Sequence, residues 1–528
     1  MYQKRQIRLA APKTYVAKIL YTQNTKLLRR IRKVFWKIFL IVFFFAVTAA
    51  VGFYYRKSAK DSGDFILAGR NVGPWLSAFA YGTTYFSATI FVGYAGQFGW
   101  MYGISALWIG LGNAIIGSLL AWVVLGRRTR IMTKHLGAST MPEFLARRYD
   151  SQALKLLAAL IIIIFLVPYT ASVYKGLAGI FSISFGVPFI WCIIGMAVLT
   201  GIYVVVGGYM ATAVNSFLQG VIMLFGIVLI VGSVLAGGGG FMQSLEKLSQ
   251  HTSELNPNLN GSLVSMFGPD PLGLLAVVVL TSLGPWGMPQ MIHKFYAIKD
   301  ERSVKLGTII STVFAVFIAC GSYFMGGFGR LFYSAETVVY DDIVPTMLTK
   351  TLPDILIGVV LLVVLSASIS TLASLVLVSS TTVVRDFIGS FIDKIKDKTS
   401  LLLIRALCAV FIAISVVIAA YPTSMITTLM GLSWGALAGS FIGPFIYGLF
   451  WKRTTKAACF ANMVFAVGLI VANAFLKFAS PTMVGAIAMV ASLVIVPLVS
   501  FVTPKLPKAT VDSAFVAYSD VASRENVA

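Results

Sequence analysis

The sequence predicts an all-α polytopic membrane protein of about thirteen transmembrane helices. Two observations predict it, and a third orients the spans. The chain has 528 residues, of which 58% are hydrophobic and only 12% charged, against about a quarter charged in an average globular protein. Unbroken apolar runs such as Leu156–Val167, Leu224–Leu235 and Ile355–Leu365 can be solvated only by lipid or by neighbouring helices. The charges that remain lie mostly in short loops between such runs. That placement makes the net charge of +23 a topology signal and a contact for anionic lipid rather than a nucleic-acid footprint.

Windows of about 20 apolar residues place the spans in order. The first is 34–55, followed by 74–99 and 103–125. Then come 154–182, 188–206 and 210–236, and after a longer loop 272–292, 306–330 and 355–380. The last four are 401–421, 424–450, 457–477 and 482–502. Lys and Arg concentrate in loops 56–73, 126–153, 293–305, 381–400 and 451–456, whereas 183–187, 237–271, 331–354 and 422–423 hold almost none. The first set is therefore expected inside, and the outside loops carry acids including Glu336, Asp341 and Asp342. An odd number of spans puts the N-terminus outside and the C-terminus in the cytoplasm of a plasma-membrane protein. Residues 1–33 oppose this, with ten Lys/Arg and no acid. They read as an over-long basic extension, because cleavage as a signal peptide would put the basic 56–73 loop outside. The tail 503–528 is too short for a further domain.

Small features have plain readings. Cys192, Cys320, Cys408 and Cys459 are isolated in apolar runs and match no metal or disulfide spacing. Lys175, near the outer end of its span, is expected to snorkel outward. His293 and Lys294 read as an ordinary cytoplasmic boundary. Pro168 and Pro188 mark a kink and a helix start. Asn260-Gly261-Ser262 is a glycosylation sequon on an outside loop.

Two spans are interrupted. Span 74–99 holds Gly82 and Gly93 around TTYFSAT (83–89), and span 272–292 reads TSLGPWGMPQ (281–290). They lie five spans apart and run in opposite directions, which is the pattern of a secondary transporter built from inverted repeats with its site at the midplane. Glycines in membrane helices also serve close packing, and both readings stand here. Span 355–380 carries Ser366, Ser370 and Ser374 at intervals of four, with Thr371 beside them. Such a hydroxyl face suits a hard cation wanting oxygen ligands. It equally suits hydroxyls bonded to their own helix or to a neighbouring one.

The segments DFILAGRNVGPWLSAFAYGTTYFSATIFVGYAG (64–96), GGYMATAVNSFLQG (207–220), GMPQMIHKF (287–295) and SISTLASLVLVSSTTVVRDF (368–387) resemble the sodium:solute symporter family, over roughly residues 34–500. The resemblance implies a five-plus-five inverted-repeat, leucine-transporter-like core. On that basis 34–55 is a peripheral helix, 56–236 the first repeat, 237–271 an extracellular loop, 272–450 the second repeat, and 451–502 two more peripheral helices. It also implies sodium as the transported coupling ion, held by the carbonyls of Thr83, Phe86 and Ala367 and the hydroxyls of Ser370 and Thr371. Two departures stand out: Ser216 occupies a place where the family commonly has an aspartate, and Tyr85 one where relatives have Asp or Asn. Losing the carboxylate makes a second sodium unexpected and weakens the first.

A solute pocket between the second, third, seventh and eleventh spans is expected to be lined by Phe86, Thr89, Ile90, Trp286, Met288, Ser433 and Trp434, each of which also reads as packing. Ile90 and Gly110 stand where sugar-binding relatives offer polar groups, and a sugar would lose water there without gaining partners. The walls fit a small, partly apolar solute whose carboxylate faces freed helix ends, such as a proline-like amino acid or a short monocarboxylate. The expected function is sodium-coupled symport by alternating access. The expected partners are a small-molecule solute and the lipid bilayer, with no organic cofactor, no nucleic acid and no obligate protein partner. The alternatives are a proton-coupled or sodium-independent carrier of the same fold, or a membrane sensor or enzyme. Both want intramembrane acids or histidines, which are nearly absent.

Overall fold

The computed structural model describes residues 38–55, 61–334, 338–392, 396–421 and 425–525. The basic extension 1–33 and Glu336 lie outside them. Among the described residues there are helices and connecting turns but no strand, only two isolated bridging pairs, Val72 with Ile298 and Ser253 with Asn256. Ten of these helices are long and apolar enough to cross a membrane, or eleven if the bent pair Pro271–Gly287 and Pro289–Tyr296 is one span.

Length and composition therefore do not return the expected thirteen, and the difference has a physical cause. The stretch Thr89–His135 is continuous over 47 residues. At about 1.5 Å per residue it is more than twice a hydrocarbon core of about 30 Å, so it must turn back on itself. It does so at Gly103, whose φ of 60° and ψ of −134° reverse the chain. Likewise Phe189–Gly238 runs for 50 residues and is broken at Gly208, with φ 60° and ψ −172°. The helix Pro74–Tyr85 has only 12 residues because it ends at a break.

Burial separates centre from rim. The most apolar windows of Leu356–Ser390 and Ile426–Phe450 are each 83% buried, whereas that of Ile38–Tyr55 is 17% buried. Side chains such as Phe225, Val228 and Val42 face outward, a surface only lipid can solvate. The ends of the central helices are tied down by polar contacts. Buried Arg148 donates to the carbonyls of Gly448 (2.8 Å) and Trp451 (3.1 Å), satisfying orphan groups at the end of Ile426–Phe450. Thr140 caps Met141–Tyr149 by accepting from the Glu143 N–H, and donates to the buried Asp386 carboxylate at 2.8 Å. The tail is not featureless. Helix Lys508–Glu525 docks on this end, with Tyr518 Oη donating to Leu449 O at 3.2 Å.

A side chain at Gly208 would need a backbone conformation that is essentially glycine's alone, and its Cβ would come within 2.9 Å of the Phe65 ring. Gly208→Ala should therefore cost about 1–3 kcal/mol and lower the melting midpoint in detergent. Gly195→Ala, in the same helix with open space around it, should leave that midpoint unchanged or raise it. Thermal unfolding of the two variants side by side is the check.

Candidate functional site

The helix Pro74–Tyr85 begins with Pro in its first turn and ends at Phe86, whose φ of −102° and ψ of 94° are extended. Beyond the break the donors that would continue the ladder are diverted. Ala88 N–H donates to Ser368 Oγ (3.2 Å), Thr89 N–H to Ser87 Oγ (3.2 Å) and Ile90 N–H to the Ser87 carbonyl (3.0 Å). The carbonyls of Thr84, Tyr85 and Phe86 are thereby released from their usual partners four residues on. An unpaired carbonyl deep in a membrane protein is costly, so another element must answer it.

That element is the helix Asp354–Thr381. Ser370 Oγ lies 3.0 Å from Thr83 O and 3.2 Å from both Ser366 O and Ala367 O. Thr371 Oγ1 lies 3.1 Å from Thr83 O and Thr84 O and 3.0 Å from Ala367 O. Each hydroxyl carries one hydrogen and can serve one acceptor at a time. In this buried knot the two hydroxyl hydrogens thus converge on the carbonyls of Thr83 and Thr84, freed at the break, while the carbonyls of Ser366 and Ala367 beside them already accept N–H groups of their own helix. Such an oxygen cluster is electrostatically suited to a bare cation. The structure brings Thr83, Ala367, Ser370 and Thr371 together. Phe86 supplies the break itself, and Thr84 is an acceptor that residue-by-residue matching left out.

The second break falls at Met288 (φ −74°, ψ 125°), where Pro271–Gly287 and Pro289–Tyr296 meet at 44°. The two broken helices are linked, since Tyr85 Oη donates to Thr281 O at 2.6 Å. Of the expected wall residues, Phe86, Thr89, Ile90, Met288, Ser433 and Trp434 are buried and Trp286 partly so. The Trp434 ring lies 6.3 Å from Tyr85 and 5.7 Å from Tyr169. Thr89 Oγ1 is 3.5 Å from Ser172 Oγ, and Ser433 Oγ donates to Phe165 O, both on the helix Gln152–Phe185. Trp286 turns aside, its ring N–H donating to Ile116 O at 2.9 Å.

A sequence model of the sodium:solute symporter family matches residues 65–466. The chain belongs to the sodium:solute symporter family. The sodium/proline symporter of Salmonella typhimurium is 28% identical over 439 residues, covering 80% of this chain and 84% of that protein. The sodium/proline symporter of Staphylococcus aureus is 26% identical over 508 residues, covering 92% and 96%. Among solved structures, a substrate-bound, outward-open Na+-coupled sialic acid symporter superposes with a TM-score of 0.70 at 16% identity, over 90% of this chain and 99% of that one. The nucleobase-cation-symport-1 family transporter Mhp1 does so with a TM-score of 0.51 at 14% identity, over 85% and 97%. The fold is thus the leucine-transporter-like one. As a member of this symporter family the chain is a multi-pass membrane transporter of a small solute and not an enzyme.

Two expectations about charged residues need correction. Lys294 is no boundary residue. It is 1% exposed, and Nζ donates to Ser374 Oγ at 2.8 Å while lying 5.1 Å over the Tyr209 ring. His293 beside it is buried as well, its ring 5.4 Å from that of Tyr209. Because the helix restarts at Pro289 after the break, all eight residues of Pro289–Tyr296 stay inside the protein. Counting from that proline was the signal that could have found them. Lys175 does not snorkel freely, for its Nζ pairs with Asp341 at 3.2 Å, both side chains about five-sixths covered. Asp341 also accepts from the Ile426 N–H at 3.4 Å. Burial pushes its carboxyl above the ordinary carboxylate value, and Lys175 and that N–H pull it back.

Ser216 is buried and its Oγ has no partner among the described residues. One turn on, both amide atoms of buried Gln219 are also unpartnered. Gly220 allows this helix to approach Thr83, whose Cγ2 would be 3.1 Å from a Cβ there.

Removing one member of the Lys175–Asp341 pair leaves the other charge largely buried. Lys175→Met and Asp341→Asn should each cost about 1–3 kcal/mol. The double variant should lose clearly less than the sum of the two, since neither orphan charge remains. Melting midpoints of the three variants at neutral pH decide it.

Proposed function

We propose that the protein moves a small, partly apolar solute inward together with sodium, by alternating access about the two broken helices. The ion is held by the carbonyls of Thr83, Phe86 and Ala367 and the hydroxyls of Ser370 and Thr371, with Thr84 O as a further neighbour. One observation carries this reading: the buried hydroxyls of Ser370 and Thr371, on an unbroken helix, converge on the carbonyls of Thr83 and Thr84 freed at the break after Tyr85. A cation there would meet the lone pairs of these carbonyls and hydroxyls.

The solute class we favour is a proline-like amino acid or a short monocarboxylate. The sodium/proline symporters among the relatives support the first. The aromatic and small polar walls around Phe86, Thr89, Ile90, Met288, Ser433 and Trp434, with Trp286 at their edge, fit both. The basic loops are assigned to the cytoplasm, with the C-terminus inside and the N-terminus outside, in the plasma membrane. A second reading, a carrier of this fold that runs without sodium, draws on the buried Lys294 beside the hydroxyl face.

Uptake of radiolabelled proline and of short monocarboxylates into proteoliposomes, under a sodium, lithium or proton gradient, separates these readings. Sodium should stimulate uptake of at least one such solute. Ser370→Ala and Thr371→Ala should each cut the sodium-stimulated rate by about tenfold or more, equivalent to about 1.4 kcal/mol. Uptake that ignores external sodium, or survives in the double alanine variant, would overturn the proposal.

A further inference from the structure

Lys294 is a buried cation for which the mechanism above has no use. It sits on the short helix Pro289–Tyr296 behind the second break. No carboxylate pairs with it among the described residues. Its surroundings are a hydroxyl, Ser374 Oγ at 2.8 Å, and the face of Tyr209. His293 packs on Tyr209 and Tyr296, and the Arg70 guanidinium donates to the Tyr296 carbonyl at 3.2 Å.

Ser374 is the link to the ion site. It is the next hydroxyl after Ser370 on the same helix face. Its Oγ lies 2.9 Å from the Ser370 carbonyl and 3.1 Å from Thr84 Oγ1. Thr84 in turn offers its carbonyl to Thr371 at 3.1 Å. The Lys294 ammonium is therefore separated by one hydroxyl from residues of the oxygen knot, and within about 6 Å of the Ser370 carbonyl oxygen, a range at which like charges in a poorly screened interior repel strongly. The neutral neighbours Ser216 and Gln219, buried with unpartnered oxygens and nitrogen on the helix packed against Thr83, add polar capacity but no counter-charge.

We propose that Lys294 is a tethered cation of the transport site: its ammonium engages Ser374 where a second mobile ion would otherwise sit, so that the knot takes a single sodium and holds it weakly. This rests on the sodium reading above. A fixed charge that never leaves adds no driving force. It sets both the number of ions coupled and the sodium concentration at which the carrier works.

The test is an equilibrium sodium titration of the purified full-length protein in detergent, with NaCl exchanged for KCl at constant ionic strength. The readouts are the melting midpoint and displacement of radioactive sodium. The unmodified protein should bind with a slope of one. In Lys294→Met the half-saturating sodium concentration should fall about tenfold or more, which is about 1.4 kcal/mol of relieved repulsion. Lys294→Gln, which keeps a donor for Ser374 without the charge, should follow it, and Lys294→Arg should behave as the unmodified protein. A slope clearly above one in the unmodified protein overturns the inference without any variant. So does an unchanged midpoint in both neutral variants, with the sodium reading left standing. Sodium binding gained only when Lys294 is neutralised supports the tethered charge while overturning sodium coupling. No sodium response in any form removes both.

Discussion

The organisation of this protein turns on one constraint: a backbone carbonyl inside a bilayer must find a partner. Breaking the helix after Tyr85 sends the N–H groups of Ala88, Thr89 and Ile90 to serine oxygens and leaves carbonyls behind. The chain answers with hydroxyls from a helix that starts about 270 residues later, which ties two distant stretches of the chain together where both are buried. Replacing that face by apolar residues would strand the carbonyls. A lone serine on an unbroken partner would merely back-bond to its own helix. The break and the hydroxyl face have meaning only together, and on the proposed reading the freed carbonyls and the hydroxyls that answer them would hold the ion.

Much of this was legible from residue order. Period-four serines in an otherwise apolar span, and Gly and Pro interrupting two spans five apart, located both partners of the knot. The count of spans was less secure. Hydropathy reads an apolar stretch between polar loops. In the structure, however, the helix runs through the turn at Gly103 and through the kink at Gly208, while Pro74–Tyr85 is cut short. Length and composition alone therefore return ten or eleven crossings among the described residues.

The charged residues were misread for a related reason. Position along a span sets depth only when the helix is straight. The break at Met288 restarts the helix inside the protein, so Lys294 lands against Ser374 rather than in water. Lys175 lies near a span end, as sequence says. Its partner Asp341 comes from the loop helix Tyr340–Thr351, which folds back over the bundle. No local pattern encodes that return. In both cases the sequence shows a cation and hides what faces it.

Charge accounting then links the ion to the solute. The oxygens around Ser370 and Thr371 and the buried Ser216 are neutral, and the Lys294 ammonium lies one hydroxyl away. Adding sodium to such a centre brings a second positive charge into a region of low screening, which is unfavourable unless an anionic group arrives with it. On the proposed reading, a solute carrying a carboxylate would supply that group. On that proposal, ion and solute would each be bound poorly alone and well together. Because such coupling is reciprocal, the same electrostatics would make a solute without a carboxylate a weak partner for sodium here and one with a carboxylate a stronger one. On this reading, co-transport would follow from the lack of a carboxylate beside Ser370 and Thr371 among the described residues rather than from its presence.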